Sequence, residues 1–292
     1  MAPLPNDPFT LPASTPRASK TTLNLAGIPL HLFGVAELTP AQAAHTTVLF
    51  HLHGRGQTHA ASEAVAHHLL HAARAGEGDG TTGERGLVVA AMDGRNHGAR
   101  AVGGSEAAVR DWRGGNERHA LDMLATMAGT GADVATAMDL LAAYVDGVFV
   151  PARFAVAGFS LGAHVVWDVL GRDARVREGV AVVGCPDLTH LLLHRLGRYK
   201  EPGEVPPGTA RWPKTTERLL QQRDAMVAGI RGKDILILNG AEDKMVPPRF
   251  TRPWVDKYGQ ENRVEMHELP DTGHTMTWDM AEKTVDWVMR RL

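Results

Sequence analysis

Short apolar runs alternate with longer segments of helical spacing along most of this chain, and this alternation limits the folds open to it. The runs typical of buried strands lie within 46–54, 87–100, 153–160, 179–187, 234–243 and 264–274. The segments of helical spacing lie at 62–75, 116–147, 161–173 and 275–292. Such alternation predicts an α/β fold, with a mostly parallel twisted sheet and helices on both faces. Within 116–147 we expect a break near Gly129 and Gly131.

Three segments depart from the alternation. Residues 1–20 are rich in proline, which predicts an extended N-terminal arm. Residues 21–38 predict two strands around a turn at Gly27, forming an antiparallel hairpin at one edge of the sheet. Residues 188–232 are too many for one crossover helix and carry the turn-forming run PGEVPPG. We therefore predict one domain, 21–292, with a small helical lid insertion at about 188–232.

The stretch GFSLG at 158–162 follows the strand-like run RFAVA and precedes a segment of helical spacing. A serine hydroxyl is a poor nucleophile unless it faces a general base. A tight strand-to-helix turn presents the hydroxyl to a base, and the turn needs small residues at 158 and 162 so that strand and helix can approach. The pattern and its context therefore predict that Ser160 is a nucleophile.

Partners for such a serine follow it in the order acid, then histidine. Asp243 comes just after the strand-like run at 234–243, and His274 lies in a loop between the last predicted strand and the last helix. Open α/β sheets place their sites at the carboxyl ends of strands, which both residues occupy. Asp187 also ends a strand and remains an alternative acid, and Glu242 is a weaker one.

An oxyanion hole requires two backbone amides near the nucleophile. The first is expected to be that of Leu161, directly after the serine, and the second comes from the loop after the third strand. That loop reads HLHGRGQ at 51–57, and we assign its donor to Arg55. Glycines at 54 and 56 would let this backbone approach a substrate.

Several residues near these strand ends are expected to line a substrate pocket: His53, His97, Asp187, Leu188 and Met245. His51 and His53 point the same way in a strand, but no third ligand with convincing spacing stands nearby, so no metal site is predicted. The residues indicate no cofactor. His164, one turn into the helix after the serine, is interpreted as a packing residue rather than the base.

Composition narrows the possible partners and the compartment. The 292 residues carry a formal net charge of −2, which argues against nucleic acid or an anionic membrane as a partner. No apolar stretch reaches 18 residues, so no transmembrane helix is expected. A single cysteine, Cys185, excludes an intrachain disulfide, and the N-terminus lacks a signal-peptide-like apolar run. We therefore expect a cytoplasmic protein, with its oligomeric state left open.

With GFSLG, GAEDKMVP, DTGHTM and HLHGRG in place, the chain resembles the α/β-hydrolase superfamily from about residue 22 to its end. The segments MDGRNHGAR and DWRGGNERHALDM resemble fungal and bacterial hydrolases near the dienelactone-hydrolase and prolyl-oligopeptidase branch. The resemblance implies that Ser160 is the nucleophile, Asp243 the acid and His274 the base. The third-strand loop reads HGRG, which departs from the HGGG of certain lipases and esterases.

The function expected from these residues is a serine hydrolase that cleaves a carboxylic ester of a small or medium-sized, partly hydrophobic substrate. An alternative is a tailoring enzyme of secondary metabolism that uses the same triad for acyl transfer, thioester cleavage or carbon–carbon bond cleavage. A non-catalytic binding protein of this fold is a third hypothesis, which the three ordered triad candidates disfavour.

Overall fold

The structure of this protein is a computed structural model that describes residues 9–11, 14–76, 85–103, 110–198 and 211–291. Parts of two predicted features lie outside these residues: the start of the N-terminal arm and the PGEVPPG run of the insertion.

The described residues form eight strands and eight α-helices. The strands are β1 (Lys20–Leu25), β2 (Ile28–Phe33), β3 (Thr46–Leu52), β4 (Gly86–Ala91), β5 (Pro151–Phe159), β6 (Val176–Val182), β7 (Asp234–Gly240) and β8 (Arg263–Leu269). The helices are α1 (Pro40–Ala44), α2 (His59–Gly76), α3 (His119–Tyr144), α4 (Leu161–Arg172), α5 (Leu188–Arg198), α6 (Lys214–Ala228), α7 (Arg252–Tyr258) and α8 (Trp278–Arg291). In this described part of the chain, no helix has both the length and the apolarity needed to cross a membrane.

All eight strands belong to one sheet, in the order β1-β2-β4-β3-β5-β6-β7-β8. The hairpin β1–β2 is antiparallel and pairs antiparallel with β4, while every later neighbouring pair from β4 to β8 is parallel. The predicted fold class is therefore confirmed, including the antiparallel hairpin at one edge.

Each face of the sheet carries its own apolar core, which is why the central strands read as continuous apolar runs. On β3, Val48, Phe50 and Leu52 belong to one core, and Leu49 belongs to the other. The first core also contains apolar residues of α3 to α7, and the second contains those of α2 and α8. Because parallel strands are covered on both faces, alternation with polar residues is lost.

The break expected near Gly129 and Gly131 is wrong, because α3 runs unbroken through both glycines. A side chain at 129 would collide with that of Arg95, and one at 131 would lie against Val165 of α4. Gly129 therefore allows close packing against Arg95, and the helix continues through both positions despite the poor intrinsic helix propensity of glycine.

Residues 188–232, where the sequence predicts a small helical insertion, contain the two helices α5 and α6. Their apolar residues Leu191 and Leu192, with Trp212 just before α6, are fully or almost fully buried in the core that includes α3 and α4. Asp224 of α6 accepts hydrogen bonds from the first two backbone amides of α5, at 3.1 and 2.9 Å. The described helices of this insertion are thus packed firmly on the sheet domain, and a lid role for it stays a prediction.

Candidate active site

Four loops meet at the carboxyl ends of the parallel strands, because neighbouring parallel strands end at the same edge of a sheet. The loops after β3 and β5 carry residues 53–57 and Ser160. The loops after β7 and β8 carry Asp243 and His274. In the sheet, β3 is a neighbour of β5, and β7 is a neighbour of β8.

Ser160 stands on a sharp turn between β5 and α4. Its backbone is left-handed, with φ 52°, a conformation that costs a non-glycine residue energy and occurs disproportionately at functional sites. Added side chains at Gly158 and Gly162 would collide with the backbone of Gly162 and of Leu52, respectively. The Ser160 amide donates to the Val182 carbonyl at 2.9 Å. Small residues at 158 and 162 therefore let strand and helix meet, as expected.

The structure brings Ser160, His274 and Asp243 into one hydrogen-bonded chain. Ser160 Oγ lies 2.8 Å from His274 Nε2, and His274 Nδ1 lies 2.7 Å from Asp243 Oδ2. The carboxylate accepts from Nδ1–H, which leaves Nε2 as the acceptor of the serine proton. The side chain of His274 is 17% exposed, whereas that of Asp243 is fully buried.

The carboxylate of Asp243 accepts three hydrogen bonds, two from backbone amides just after it in the sequence and one from the histidine loop. Its Oδ1 accepts from the amides of Met245 and Val246, at 2.7 and 2.8 Å, while Oδ2 faces His274. Burial by itself would raise the pKa of Asp243, but the bonds from His274 and the two amides outweigh it and lower this pKa below its ordinary value. Asp243 is thus an ionised acceptor at neutral pH.

The two loops that carry Asp243 and His274 are also bound to each other through their backbones. The amides of Ala241 and Glu242 donate to the carbonyls of Leu269 and Thr272, both at 2.9 Å. A side chain at Gly240 would collide with the Thr272 carbonyl, so this glycine allows the loops to touch. The distance from acid to histidine is therefore fixed by backbone contacts as well as by the side chains.

The alternative acids lie elsewhere. The Asp187 carboxylate accepts from Nδ1 and from the amide of His190, at 2.8 and 3.1 Å, and its side chain is 35% exposed. The Glu242 side chain is exposed. Of the three acids considered, the structure brings only Asp243 to His274.

The expected oxyanion donors sit on two adjacent turns. Leu161 is the first residue of α4, where backbone amides have no acceptor within the helix. The Gln57 amide donates to the Gly54 carbonyl at 3.1 Å, and Gly56 has φ 79°, which is typical of a type II turn with Arg55 at its second position. A side chain at Gly54 would come within 2.8 Å of the Phe159 ring, so this turn packs directly against the residue before Ser160.

His53 and His97 are buried next to each other, with ring centroids 5.3 Å apart. His53 Nδ1–H donates to the Gly54 carbonyl at 2.8 Å, and its Nε2 accepts from the Gly94 amide at 2.9 Å. Burial lowers the pKa of His53 to about 4. His97 Nδ1–H donates to the Arg95 carbonyl, and its buried Nε2 has no partner among the described residues. His53 therefore joins the loops after β3 and β4.

The two remaining predicted pocket residues differ in exposure. Leu188 is completely buried in the core, whereas the Met245 side chain is 42% exposed.

His164 donates from Nδ1 to the Cys185 carbonyl at 3.0 Å, and burial lowers its pKa well below the ordinary value. Burial raises the pKa of the Cys185 thiol, because it disfavours the charged thiolate, and the thiol therefore stays neutral.

No cluster of three or more metal-ligating side chains occurs within the described ranges of the chain. His51 Nδ1 lies 2.9 Å from Ser62 Oγ, and His53 is bonded as described above. His51, near the end of β3, and His53, just after it, are thus each engaged by local partners.

Sequence reasoning missed one apolar contact at the site. The Phe159 ring lies 5.9 Å from the His274 ring and also contacts Phe9 of the N-terminal arm, with ring centroids 4.9 Å apart. The second position of G-x-S-x-G is apolar here, but nothing in the pattern indicates what it touches. Contacts between the arm and a strand 150 residues away leave no local signal.

Comparisons with known proteins locate the fold. No protein-family profile matches the sequence, and no curated protein matches it. Among solved structures, TT1662 from Thermus thermophilus is 20% identical, with a TM-score of 0.61 over 94% of this chain and 98% of that one. The Pyrococcus furiosus esterase Pf2001 is 15% identical, with a TM-score of 0.57 over 94% and 93%.

A peptidase is also similar. The acylaminoacyl peptidase of Pyrococcus horikoshii is 9% identical, with a TM-score of 0.65 over 95% of this chain but only 41% of that one. At these identities the similarities show the fold alone. They confirm the fold that the sequence motifs predict, with the chain sharing the architecture of both esterases and a peptidase.

Proposed function

We propose that this chain, which has the α/β-hydrolase fold, is a serine hydrolase that cleaves carboxylic esters through an acyl-enzyme. The observation that carries the proposal is the hydrogen-bonded chain from Ser160 through His274 to Asp243, with a strained, left-handed backbone at the serine. This arrangement has the three roles that nucleophilic acyl transfer requires: a nucleophile, a base in contact with it, and an acid that orients the base.

In the first half of the reaction, Ser160 Oγ attacks the ester carbonyl carbon while His274 Nε2 accepts the serine proton. The carbonyl oxygen becomes an oxyanion, for which the amides of Leu161 and Arg55 are the proposed donors. Asp243 holds the ring in the tautomer with Nδ1–H and stabilises the imidazolium. When the ester bond breaks, the alcohol leaves with the proton from Nε2, and the acyl group stays on the serine.

In the second half, His274 Nε2 removes a proton from water, and the resulting hydroxide oxygen attacks the acyl carbonyl. The bond to Ser160 Oγ then breaks, the serine regains its proton from His274, and the carboxylic acid leaves. The substrate we propose is small or medium-sized and partly hydrophobic. Met245 lies in the loop that carries Asp243, and its exposed side chain supports an apolar contact with such a substrate.

Transfer of the acyl group to an alcohol, amine or thiol instead of water would use the same residues, so it remains the second candidate function. A panel of p-nitrophenyl esters of increasing acyl length separates the two. Turnover on these esters supports hydrolysis, whereas serine labelling without turnover supports a specialised acceptor or substrate. A p-nitroanilide of the preferred acyl group compares ester with amide cleavage, because peptidases share the fold.

The test begins with an organophosphonate probe, which reacts with an activated serine. We expect labelling of the wild type at Ser160 and none in Ser160→Ala. For p-nitrophenyl esters, Ser160→Ala and His274→Ala should each lower kcat on the order of 10⁴–10⁶-fold. Ser62→Ala is the matched control, because Ser62 also contacts a histidine, His51, but away from the triad. Absence of labelling in the wild type would refute the nucleophile.

The same assay tests the acid. Asp243→Asn should lower kcat on the order of 10⁴-fold, because an amide at this position no longer stabilises the imidazolium and favours the wrong tautomer of His274. Asp187→Asn should leave kcat close to that of the wild type, since Asp187 faces His190. A larger loss in Asp187→Asn than in Asp243→Asn would show that the acid is misassigned.

A further inference from the structure

The buried arginine of α5, Arg195, reaches the loop that carries the triad acid. Its Nε and Nη2 both donate to the backbone carbonyl of Met245, at 3.1 and 3.0 Å. Its Nη1 lies 3.7 Å from the sulfur of Met123 in α3. Only 6% of Arg195 is exposed, so these contacts are shielded from water and correspondingly strong.

The carbonyl that Arg195 binds belongs to the peptide unit between Met245 and Val246. The N–H of the same unit is that of Val246, which donates to Asp243 Oδ1 at 2.8 Å. A trans peptide is planar, with its C=O and N–H pointing in opposite directions. Arg195 and Asp243 therefore hold the two ends of one rigid group.

A guanidinium at the oxygen of a peptide polarises it and strengthens the N–H at its other end as a donor. The bond to Asp243 Oδ1 is therefore reinforced, and the position of this carboxylate fixes the orientation of the His274 ring. The charge of Arg195 has a wider reach, since it also helps to lower the pKa values of His119 and His164, although burial is the larger cause for both.

We infer that Arg195 is a positioning residue for the catalytic acid: through the Met245–Val246 peptide it holds Asp243, and thereby His274, in the geometry that activates Ser160. The inference rests on the proposed function, and it gives the insertion at 188–232 a role in catalysis besides packing. The contacts that carry the inference are the two hydrogen bonds from Arg195 to the Met245 carbonyl, which reach His274 through Asp243.

Kinetics of Arg195→Met and Arg195→Lys on a short-chain p-nitrophenyl ester test the inference. Arg195→Met removes every donor to the Met245 carbonyl, and we expect kcat to fall on the order of 10–10²-fold, as for small misplacements of catalytic groups. KM should stay within about twofold, because substrate binding is not altered. Arg195→Lys keeps one donor and should recover part of the loss. Arg231→Lys is the matched control, because Arg231 also donates to backbone carbonyls, those of Ala228 and Ile230, before β7 begins.

A double-mutant cycle separates positioning from a merely structural role. If Arg195 acts through Asp243, Arg195→Met should cost at most about twofold more in an Asp243→Asn background, where the carboxylate is already lost. A structural role would give the same fold-loss in both backgrounds. All rates are normalised to the fraction of enzyme that a phosphonate probe titrates, which removes the effect of any misfolded protein.

The outcomes are distinct from those of the proposed function. If the wild type is not labelled by the phosphonate, the proposed function fails whatever the arginine variants do. If the wild type is labelled and active but Arg195→Met keeps its kcat, or its loss is fully additive with Asp243→Asn, the positioning role is overturned. Should Arg195→Met not fold, Arg195→Lys carries the test, and a wild-type kcat in that variant with an additive cycle overturns the inference equally.

Discussion

At the scale of single residues, the geometry of the site depends on glycines, which let neighbouring backbones come close together. Ser160 has a left-handed backbone, and the glycines on either side of it, Gly158 and Gly162, occupy places where an added Cβ would collide with backbone atoms. The local preference of the serine is thus overruled by packing between β3, β5 and α4. Strain of this kind is stable only when the surrounding structure over-determines it.

Gly162→Ala is expected to damage both stability and activity. Its new methyl group would overlap the Leu52 carbonyl, so the start of α4 must move away from β3 and carry Ser160 with it. We expect a loss of about 1–3 kcal/mol in the free energy of unfolding and a decrease in kcat on the order of 10²-fold. Urea denaturation and ester kinetics measure the two effects.

The matched control for this substitution is Gly197→Ala in α5. Apart from the backbone of its own helix, no atom of the described residues lies within 4 Å of a side chain added there, and alanine favours a helix over glycine. We expect unchanged kcat and equal or slightly higher stability. Comparable losses in the two variants would contradict the role given to close packing at Gly162.

The triad candidates could be found from sequence because each has a local signature: small residues around Ser160, and positions at strand ends for Asp243 and His274. The choice of Asp243 over Asp187 could not be made with certainty from sequence, since both follow a strand. What separates them is the partner each carboxylate meets, His274 or His190, and that depends on loops from different strands. The role of Arg195 has no sequence signature, because a polar residue on a helix is unremarkable.

At the scale of elements, the strands were the most predictable part of the fold. A parallel strand with helices on both faces is apolar along its whole length, so the runs at β3, β5 and β7 identify themselves. The break in α3 was predicted wrongly because glycine, unlike an apolar run, does not indicate one structure. From sequence alone, each of the two internal glycines of α3 is compatible either with a helix break or with a residue packed inside a helix. Their neighbours, Arg95 and α4, decide between the two, and those neighbours come from other parts of the chain.

The N-terminal arm is an element whose importance the sequence does not reveal. Phe9 is half-buried, and its ring packs edge-on against that of Phe159, which in turn faces His274. A described part of the predicted arm is therefore docked beside the candidate catalytic residues. Farther along, the Ala18 amide donates to His67 Nδ1 at 3.0 Å, which ties the arm to α2 as well.

Phe9→Ala should therefore affect stability and turnover together. Loss of a half-buried aromatic pair is expected to lower the free energy of unfolding by about 1–2 kcal/mol. The freed Phe159 ring should hold His274 less firmly, so kcat should fall by roughly twofold to tenfold. Thermal unfolding and p-nitrophenyl ester kinetics measure both, with Pro16→Ala, at an exposed position of the arm, as the control. Wild-type stability in Phe9→Ala would show that the arm does not dock in solution.

At the scale of the whole molecule, two cores enclose one sheet, and several histidines are sealed between the sheet and its helices. His51, His53 and His119 are each at most 4% exposed. Burial is the largest cause that lowers their pKa values, to about 3, 4 and 3 respectively. Each is therefore neutral in the folded protein at pH 5.5 and above, and this makes the stability of the fold depend on pH.

Stability should decrease as the pH falls below about 6.5, the ordinary pKa of histidine in the unfolded chain. Below that pH the unfolded chain binds protons that the folded protein cannot, so acid favours unfolding. Each of the three histidines contributes a loss of roughly 1.4 kcal/mol between pH 7.5 and 5.5, or about 4 kcal/mol together. Carboxylates such as Asp243, whose pKa is lowered below its ordinary value, stay ionised in this window and add their effect only at lower pH.

Urea denaturation at pH 7.5, 6.5 and 5.5 measures this dependence. In His51→Asn, whose amide can still meet Ser62, the decrease between pH 7.5 and 5.5 should be smaller by roughly 1.4 kcal/mol, since one buried neutral histidine is gone. His190→Gln is the control, because the His190 side chain is 72% exposed and its removal should leave the decrease unchanged. A stability that is flat over this range, or an undiminished decrease in His51→Asn, would contradict the burial of neutral histidines as the cause of acid sensitivity.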